Sequence, residues 1–542
     1  MAKDYDVIVL GSGLAGLATA LAAKAKGLRP LVIEKADKIG GGSTNSYGLI
    51  WIGNNHLARA AGIADSRDDV LAYMRFVAGG EAVEANLLAY VDRAPEALRF
   101  FEAAGIRFEL TRRGVDHYMG IAPGAKAEGR IVEAALISAY ELGPWRERVR
   151  RSAVQPCYLT ADEQIGWGGV TSVSNWDRTL VEERRRADMC GKGLGLICRF
   201  ARALLSRDVD ILTGVQVRDL VLERGRVGGV VTGTGDIKVR HGVMLATGGY
   251  ESNPDLAGSF EKVPGWTSQV PRSLTGDGLI LGSEAGGAVH VIRNNMTLLL
   301  GFFTSGPDQA VEPEFHSAGI VELCSPHTMV VNRQGRRFAD ESYFQAMIPA
   351  LLHFDPRSHS YSNLPSFLIF DQTYASSFSF GGRPAGCEIP AWVDRAPDIG
   401  ELGKRLGIDP KGLAETWRRF NGFAQTGRDL DFHRGELPWH LGRRDVPKGG
   451  NASLGALVAP PFYGLQLRPS SLPSAGLLVN ASSQVLNHRR NPIAGLYAAG
   501  NAAAHTDYGA GFQAGYSLGS GMTFGYLAAC HMAQSAPADA AA

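Results

Sequence analysis

A chain of 542 residues is long enough to bury the cores of about two to four domains, and its 45% hydrophobic and 20% charged residues are the balance of an ordinary globular protein. A net charge of +1, with no Lys/Arg block clear of nearby acids, leaves no footprint for a nucleic-acid partner; the run Glu182–Arg186 mixes signs and reads as a solvated helix face. The six cysteines (Cys157, Cys190, Cys198, Cys324, Cys387, Cys530) form no CxxC, CxxCH or Cys/His cluster. That argues against haem c, iron–sulfur or zinc sites and fits reduced thiols in a cytoplasmic protein.

In chain order, Asp6–Leu10 is a short apolar run expected to be a buried parallel strand. Gly11-Ser12-Gly13-Leu14-Ala15-Gly16 follows at once, then an Ala-rich helix over Leu17–Lys26 and a second strand, Pro30–Glu34, ending in an acid. Leu71–Val77, Leu87–Phe101 and Leu194–Leu205 show helical apolar spacing, and two short strand-like runs, Asp210–Leu212 and Asp219–Leu222, precede Arg226–Thr232 and Val243–Gly249. From about Ala288 to Arg444 the chain is richer in aromatics and Pro, with the turn Asn332–Gly335 and a helical pattern over Ile399–Phe423. Alternating strands and Gly-rich turns then resume. The expected architecture is α/β: a Rossmann-like domain from 1–287 and 445–542, with an inserted α+β capping domain over 288–444.

Two uncharged stretches resemble membrane segments. Val7–Ala23 lacks the basic start and cleavage site of a signal peptide. Tyr508–Cys530 is long enough to span a bilayer, but its six Gly with Gln513, Ser517, Ser520 and Thr523 suit packing against a cofactor better. No transmembrane segment is expected, and peripheral membrane contact stays open. The tail Ser535–Ala542 is expected to be disordered.

Gly11, Gly13 and Gly16 stand where a dinucleotide-binding turn needs them, between a strand and a helix, with Glu34 at the tip of the next strand. The first Gly makes the tight turn, the second admits the pyrophosphate to the backbone, and the third lets helix and sheet touch. The helix N-terminus favours the phosphate charge, and Glu34 would accept from ribose hydroxyls.

Three further stretches extend the pattern: Ile39–Thr44 (IGGGST), Ala246–Gly249 (ATGG) and Gly495–Asn501 (GLYAAGN). With the glycine turn they resemble flavoproteins grouped with fumarate reductase and succinate dehydrogenase, over nearly the whole chain. The resemblance implies an FAD site made of Gly11, Gly13, Leu14, Ala15, Gly16, Glu34, Lys35, Gly41, Gly42, Ser43, Thr44, Val217, Ala246, Thr247, Gly248, Gly500, Asn501, Ser517 and Leu518. Where several relatives carry a flavin-linking His before the Ser-Thr pair, this chain has Gly40-Gly41-Gly42, which implies non-covalent FAD.

Fumarate reductases bind a dicarboxylate with several cations. Their Arg-Asp pair after a stretch like Arg337–Glu341 is replaced here by Ser342-Tyr343-Phe344-Gln345, and their late Arg is missing from His505–Gly511. A carboxylate buried without a cation is costly. Four other stretches resemble the 3-ketosteroid dehydrogenases and related cyclic-ketone desaturases: Trp51–Asn55, Asp116–Tyr118 with Ala122–Gly124, Arg336–Ser342, and Gly515–Gly519 with Gly521–Gly525.

Desaturation beside a carbonyl needs a donor to the carbonyl oxygen, a base for the α-proton and an acceptor for the β-hydride. By the resemblance, Tyr118 lies beside the substrate, and Tyr343, offset by a couple of residues, matches the proposed base, a tyrosinate of lowered pKa. The Gly515 N–H holds the carbonyl. The family's carbonyl-binding Tyr falls at Gly511; Tyr508 would reach in from upstream, with Tyr516 adjacent. In the 4-dehydrogenase branch a Tyr and a Ser precede that Gly, where this chain has Phe512 and Ala514. His505 is a lone candidate proton donor, and Glu341 reads as structural. The implied partners are a small-molecule ketone and an electron acceptor such as a quinone or soluble carrier. The alternatives are an enone or enoate reductase sharing the same site, and a flavin-binding module without catalysis.

Overall fold

The computed structural model describes residues 4–152, 158–169, 175–292, 298–304, 315–437 and 450–535. Cys157, the 444/445 boundary and the tail beyond Ser535 lie outside them.

The expected strand–turn–helix–strand opening forms as Tyr5–Leu10, Leu14–Ala25 and Pro30–Glu34. Tyr5–Leu10 pairs in parallel with Pro30–Glu34 on one side and with the end of Gly235–Leu245 on the other. Asp210–Thr213 and Pro492–Ala498 extend this parallel core outward. Antiparallel strands Val217–Glu223 and Arg226–Thr232 complete one side and Gln484–Leu486 the edge, giving an eight-stranded sheet. The centre of the parallel core is apolar because helices cover it; Val7, Ile8 and Val9 are fully buried, whereas Val217–Glu223 and the start of Gly235–Leu245 are charged and largely exposed. The first helix packs on the C-terminal helix Tyr516–Gln534, where Gly525 lies against Ala15 and Thr19 with no room for a Cβ.

A second, antiparallel sheet runs in the order Phe315–Ser317, Leu299–Phe303, Phe462–Ser470, Ser366–Phe370, Thr328–Asn332, with Asp394–Ala396 also on Phe462–Ser470. Its central strand comes from beyond residue 444, so this sheet is not closed by the inserted stretch alone. The single helical pattern read over Ile399–Phe423 is two helices, Ile399–Leu406 and Pro410–Thr426. Gly407 ends the first at φ +68°, and Asp409 and Pro410 start the second. Among the described residues no helix is long and apolar enough to cross a membrane.

Candidate active site

The glycine turn brings backbone against backbone. A Cβ on Gly11, at φ +99°, would lie 2.3 Å from the Ala246 carbonyl oxygen, and one on Gly16 would lie 2.0 Å from that of Gly11. Glu34 braces this turn: its carboxylate accepts from the Ser12 N–H (3.0 Å) and hydroxyl (2.5 Å) and from the Ala36 N–H (2.9 Å). Ser43 ties the IGGGST turn to the helix start by accepting from the Leu14 N–H at 3.1 Å. Lys35 does not stand alone; it pairs with Asp277 at 2.8 Å and donates to Thr275.

These elements wall a cleft of about 500 Å³. Gly11, Gly13, Leu14, Ala15, Glu34, Lys35, Gly41, Gly42, Ser43, Val217, Ala246, Thr247, Gly248, Gly500, Asn501, Ser517 and Leu518 all line it. Gly16 and Thr44 stand behind the wall: Gly16 lets helix and turn touch, and Thr44 is buried with its hydroxyl on the Gly41 carbonyl. At the far end of the cleft the Ser517 hydroxyl donates to Asn501 Oδ1 at 3.1 Å, and Gly515 caps the C-terminal helix at φ +94°. The first N–H groups of that helix have no partner within it and carry its positive end. A glycine-walled groove leading from a helix N-terminus to a second helix N-terminus fits a dinucleotide with a long polar linker.

A second cavity, of about 1110 Å³, opens towards the antiparallel sheet. Gly42, Ser46, Tyr47, Tyr118, Val270, Leu472 and Phe512 line both. Tyr118 sits on the turn His117–Met119, its ring 5.4 Å from that of Phe512. Gln513, which in the sequence stands out only as a polar residue in a Gly-rich stretch, anchors this turn: it accepts from the Tyr118 N–H and the Tyr73 hydroxyl and donates to the Val115 carbonyl. Asp116 is the second anchor. It accepts from Trp51 Nε1 (2.7 Å), the Lys126 N–H (2.9 Å) and Arg130 (3.0 Å), and Arg130 also pairs with Asp65. Both were quotable from the sequence, but only tertiary contact shows what they hold.

Burial pushes the Tyr118 phenol well above its ordinary range and that of Tyr343 up to about 12. The protein alone therefore raises both, against the lowered value expected of a tyrosinate base. Tyr343 lines neither cavity: it caps the helix Phe344–Leu351 and points its hydroxyl at Met119 Sδ, 3.4 Å away, a weak acceptor on the Tyr118 turn. Tyr508 lines neither cavity. It is buried behind the site, stacked on His505 (4.8 Å) and against Tyr516 (5.1 Å). The cause is visible at Gly511, where a Cβ would lie 2.1 Å from the Val77 carbonyl oxygen. No Tyr fits there, and Phe512 takes the wall instead. Burial holds His505 down at about 4, so it is neutral at physiological pH. Glu341 closes a buried network with Arg337, Asp429 and Arg434 under the second sheet.

Fold and cleft together define an FAD-dependent oxidoreductase. The sequence profile of the FAD binding domain family matches residues 6–522, and the chain belongs to that family. It is 33% identical to 4-oxocyclohexanecarboxylate 2-dehydrogenase of Sinomonas cyclohexanicum, over 97% of this chain and 92% of the relative. It is 30% identical to 3-oxosteroid 1-dehydrogenase of Mycolicibacterium smegmatis, over 99% and 98%. The crystal structure of 3-ketosteroid delta1-dehydrogenase from Sterolibacterium denitrificans in complex with 1,4-androstadiene-3,17-dione superposes with a TM-score of 0.88 at 28% identity, covering 98% of this chain and 99% of that one.

Proposed function

We propose that this protein desaturates a cyclic ketone next to its carbonyl, with FAD held non-covalently. The observation that carries the reading is Tyr118 on the wall common to the cofactor cleft and the second cavity. The activities named for the two relatives agree with it.

Bound FAD supplies the two-electron acceptor for the β-hydride. The protein's part is to hold the ketone and move one proton. The Gly515 N–H, at the positive end of the C-terminal helix, donates to the carbonyl oxygen and stabilises the charge that gathers there as the α-proton leaves. Tyr118 and Tyr343 are the hydroxyls assigned to that proton. Tyr343 lines neither cavity; its hydroxyl rests on the Met119 thioether of the Tyr118 turn, a weak contact that a turn of the ring towards the site would exchange for a better acceptor. Phe512 and Leu472 give the ring an apolar seat and keep water from the reacting carbons. The electrons then pass to a quinone or a soluble carrier. We assign the cap to the stretch centred on residues 288–444.

A neutral Tyr118 also suits proton donation, so the reverse reaction on an enone is the second reading. The test is anaerobic mixing of the yellow protein with a 3-ketosteroid, cyclohexanone, 4-oxocyclohexanecarboxylate, succinate or NADH, following the flavin's visible band. Bleaching by a saturated ring ketone is expected. Bleaching by succinate overturns the reading, as does reoxidation of dye-reduced enzyme by an enone with no bleaching by any saturated ketone.

A further inference from the structure

The second cavity holds polar groups that neither the cofactor cleft nor the proton path uses. Arg150 lines it and does not line the cofactor cleft. Its backbone is fixed beside the glycine turn, with its N–H on the Ile39 carbonyl at 2.9 Å. Its side chain is half-buried, forms no ion pair among the described residues, and its Nε is buried without a hydrogen-bond partner. Asn45, on the same wall, has a buried Oδ1 with no partner, and both Glu251 oxygens are buried without a well-formed hydrogen bond, the Asn501 amide being the nearest polar side chain to act on them. Burial pushes the Glu251 carboxyl up to about 7, which leaves a protonated fraction able to donate. Lys262 and Arg272 line the same cavity from exposed positions, and His316 is engaged by Glu322.

An entirely apolar polycycle in this space would seal off an unpaired guanidinium edge and an unpaired carboxyl, each at substantial cost. A ligand with an anionic oxygen pair answers both: the guanidinium fork matches a carboxylate, and a protonated Glu251 donates to it. Trp266, Phe303 and Phe315 in the lining of the same cavity suit a ring.

We propose that the ring ketone carries a carboxylate, and that Arg150 binds it on the wall of the second cavity. This rests on the ring-ketone reading above and adds the substituent and the residue that selects it.

The test compares 4-oxocyclohexanecarboxylate, its methyl ester and unsubstituted cyclohexanone on the holoenzyme, in kcat/KM and in flavin content. The acid is expected to exceed the ester by about 10- to 100-fold, the span of a charge-assisted hydrogen bond. Arg150→Gln should lower kcat/KM for the acid by a similar factor, mostly through KM, and bring the acid and ester close together, while Arg150→Lys keeps part of the preference. Equal rates for acid and ester in the wild type overturn the proposal, whether or not the variants fold. So does loss of flavin from Arg150→Gln with the acid preference intact in what remains. If no ring ketone reduces the flavin at all, it is the ring-ketone reading that fails.

Discussion

The cleft beside Gly11 is walled in large part by glycines and other small residues, whereas the cavity beyond Tyr118 takes more of its wall from larger side chains, drawn from segments as distant as Asn45, Arg150, Trp266, Phe315 and Phe512. The first binds a group whose phosphates and linker need N–H donors and close approach, which only particular backbone shapes provide. The second, on the function proposed above, fits one substrate, and side chains can be exchanged there without disturbing the sheet. A fixed cofactor is thus recognised by main chain and a variable substrate by side chain.

The sharpest break in that contrast is on the cofactor side. Gly11→Val places a side chain against the Ala246 carbonyl at a φ that Val does not adopt. The purified variant is expected to carry no flavin, read from its absorbance after release of cofactor. On the substrate side, Tyr118→Phe removes one hydroxyl and no volume. It should keep its flavin and lose about 10²- to 10⁴-fold in kcat for a ring ketone, the usual weight of a positioned proton-transfer group. Steady-state turnover against flavin content separates the two effects.

Between the two regions lies the Asp116–Arg130 anchor. Asp116→Ala leaves Arg130 with Asp65 alone and takes the partner from Trp51 Nε1. Breaking a buried pair in this way costs about 3–5 kcal/mol, to be measured by denaturant unfolding, and ketone turnover should fall because the Tyr118 turn loosens.

The pH dependence separates the regions further. With both phenols raised, the phenolate fraction grows about tenfold per pH unit. Flavin reduction by ketone should therefore climb from about pH 7 to pH 10 without a plateau, the direction expected when a phenolate is the base. A flat stopped-flow profile would move the proton to another group. The smallest effect is on stability. His505 is held at about 4 when folded, against about 6.5 for a free imidazole. Its folded form resists protonation, so stability is full above pH 6.5 and declines as pH falls towards 4, by on the order of 3 kcal/mol. Urea unfolding across that range checks it, and His505→Phe should flatten the slope.

The same contrast explains what the sequence could and could not say. The strand–turn–helix around Gly11, the ATGG strand and the Asn501 turn were legible because a dinucleotide groove imposes spacing on backbone. Thr44 and Gly16 fell one layer behind the cleft because a motif marks a turn without saying which of its atoms face the ligand. Tyr508 was misplaced as a cavity residue for a different reason: the tight contact of Gly511 with Val77 decides the path of that segment, and the contact joins residues more than 400 apart. Arg150 and Gln513 carry no motif at all. The span of the second sheet was also hidden, since Phe462–Ser470 reads as a strand without naming its partners.

The central claim is that the two cavities meet so that a ring carbon hands hydride to the flavin while a Tyr takes the neighbouring proton. Single-turnover flavin reduction by a ring ketone and by the same ketone deuterated at the β-carbon tests it most directly. The unlabelled ketone is expected to bleach the flavin, deuteration to slow the bleaching, and the conjugated enone to be the product. Bleaching at the same rate with both would contradict rate-limiting hydride transfer from that carbon, and no bleaching by any saturated ring ketone would contradict the account as a whole.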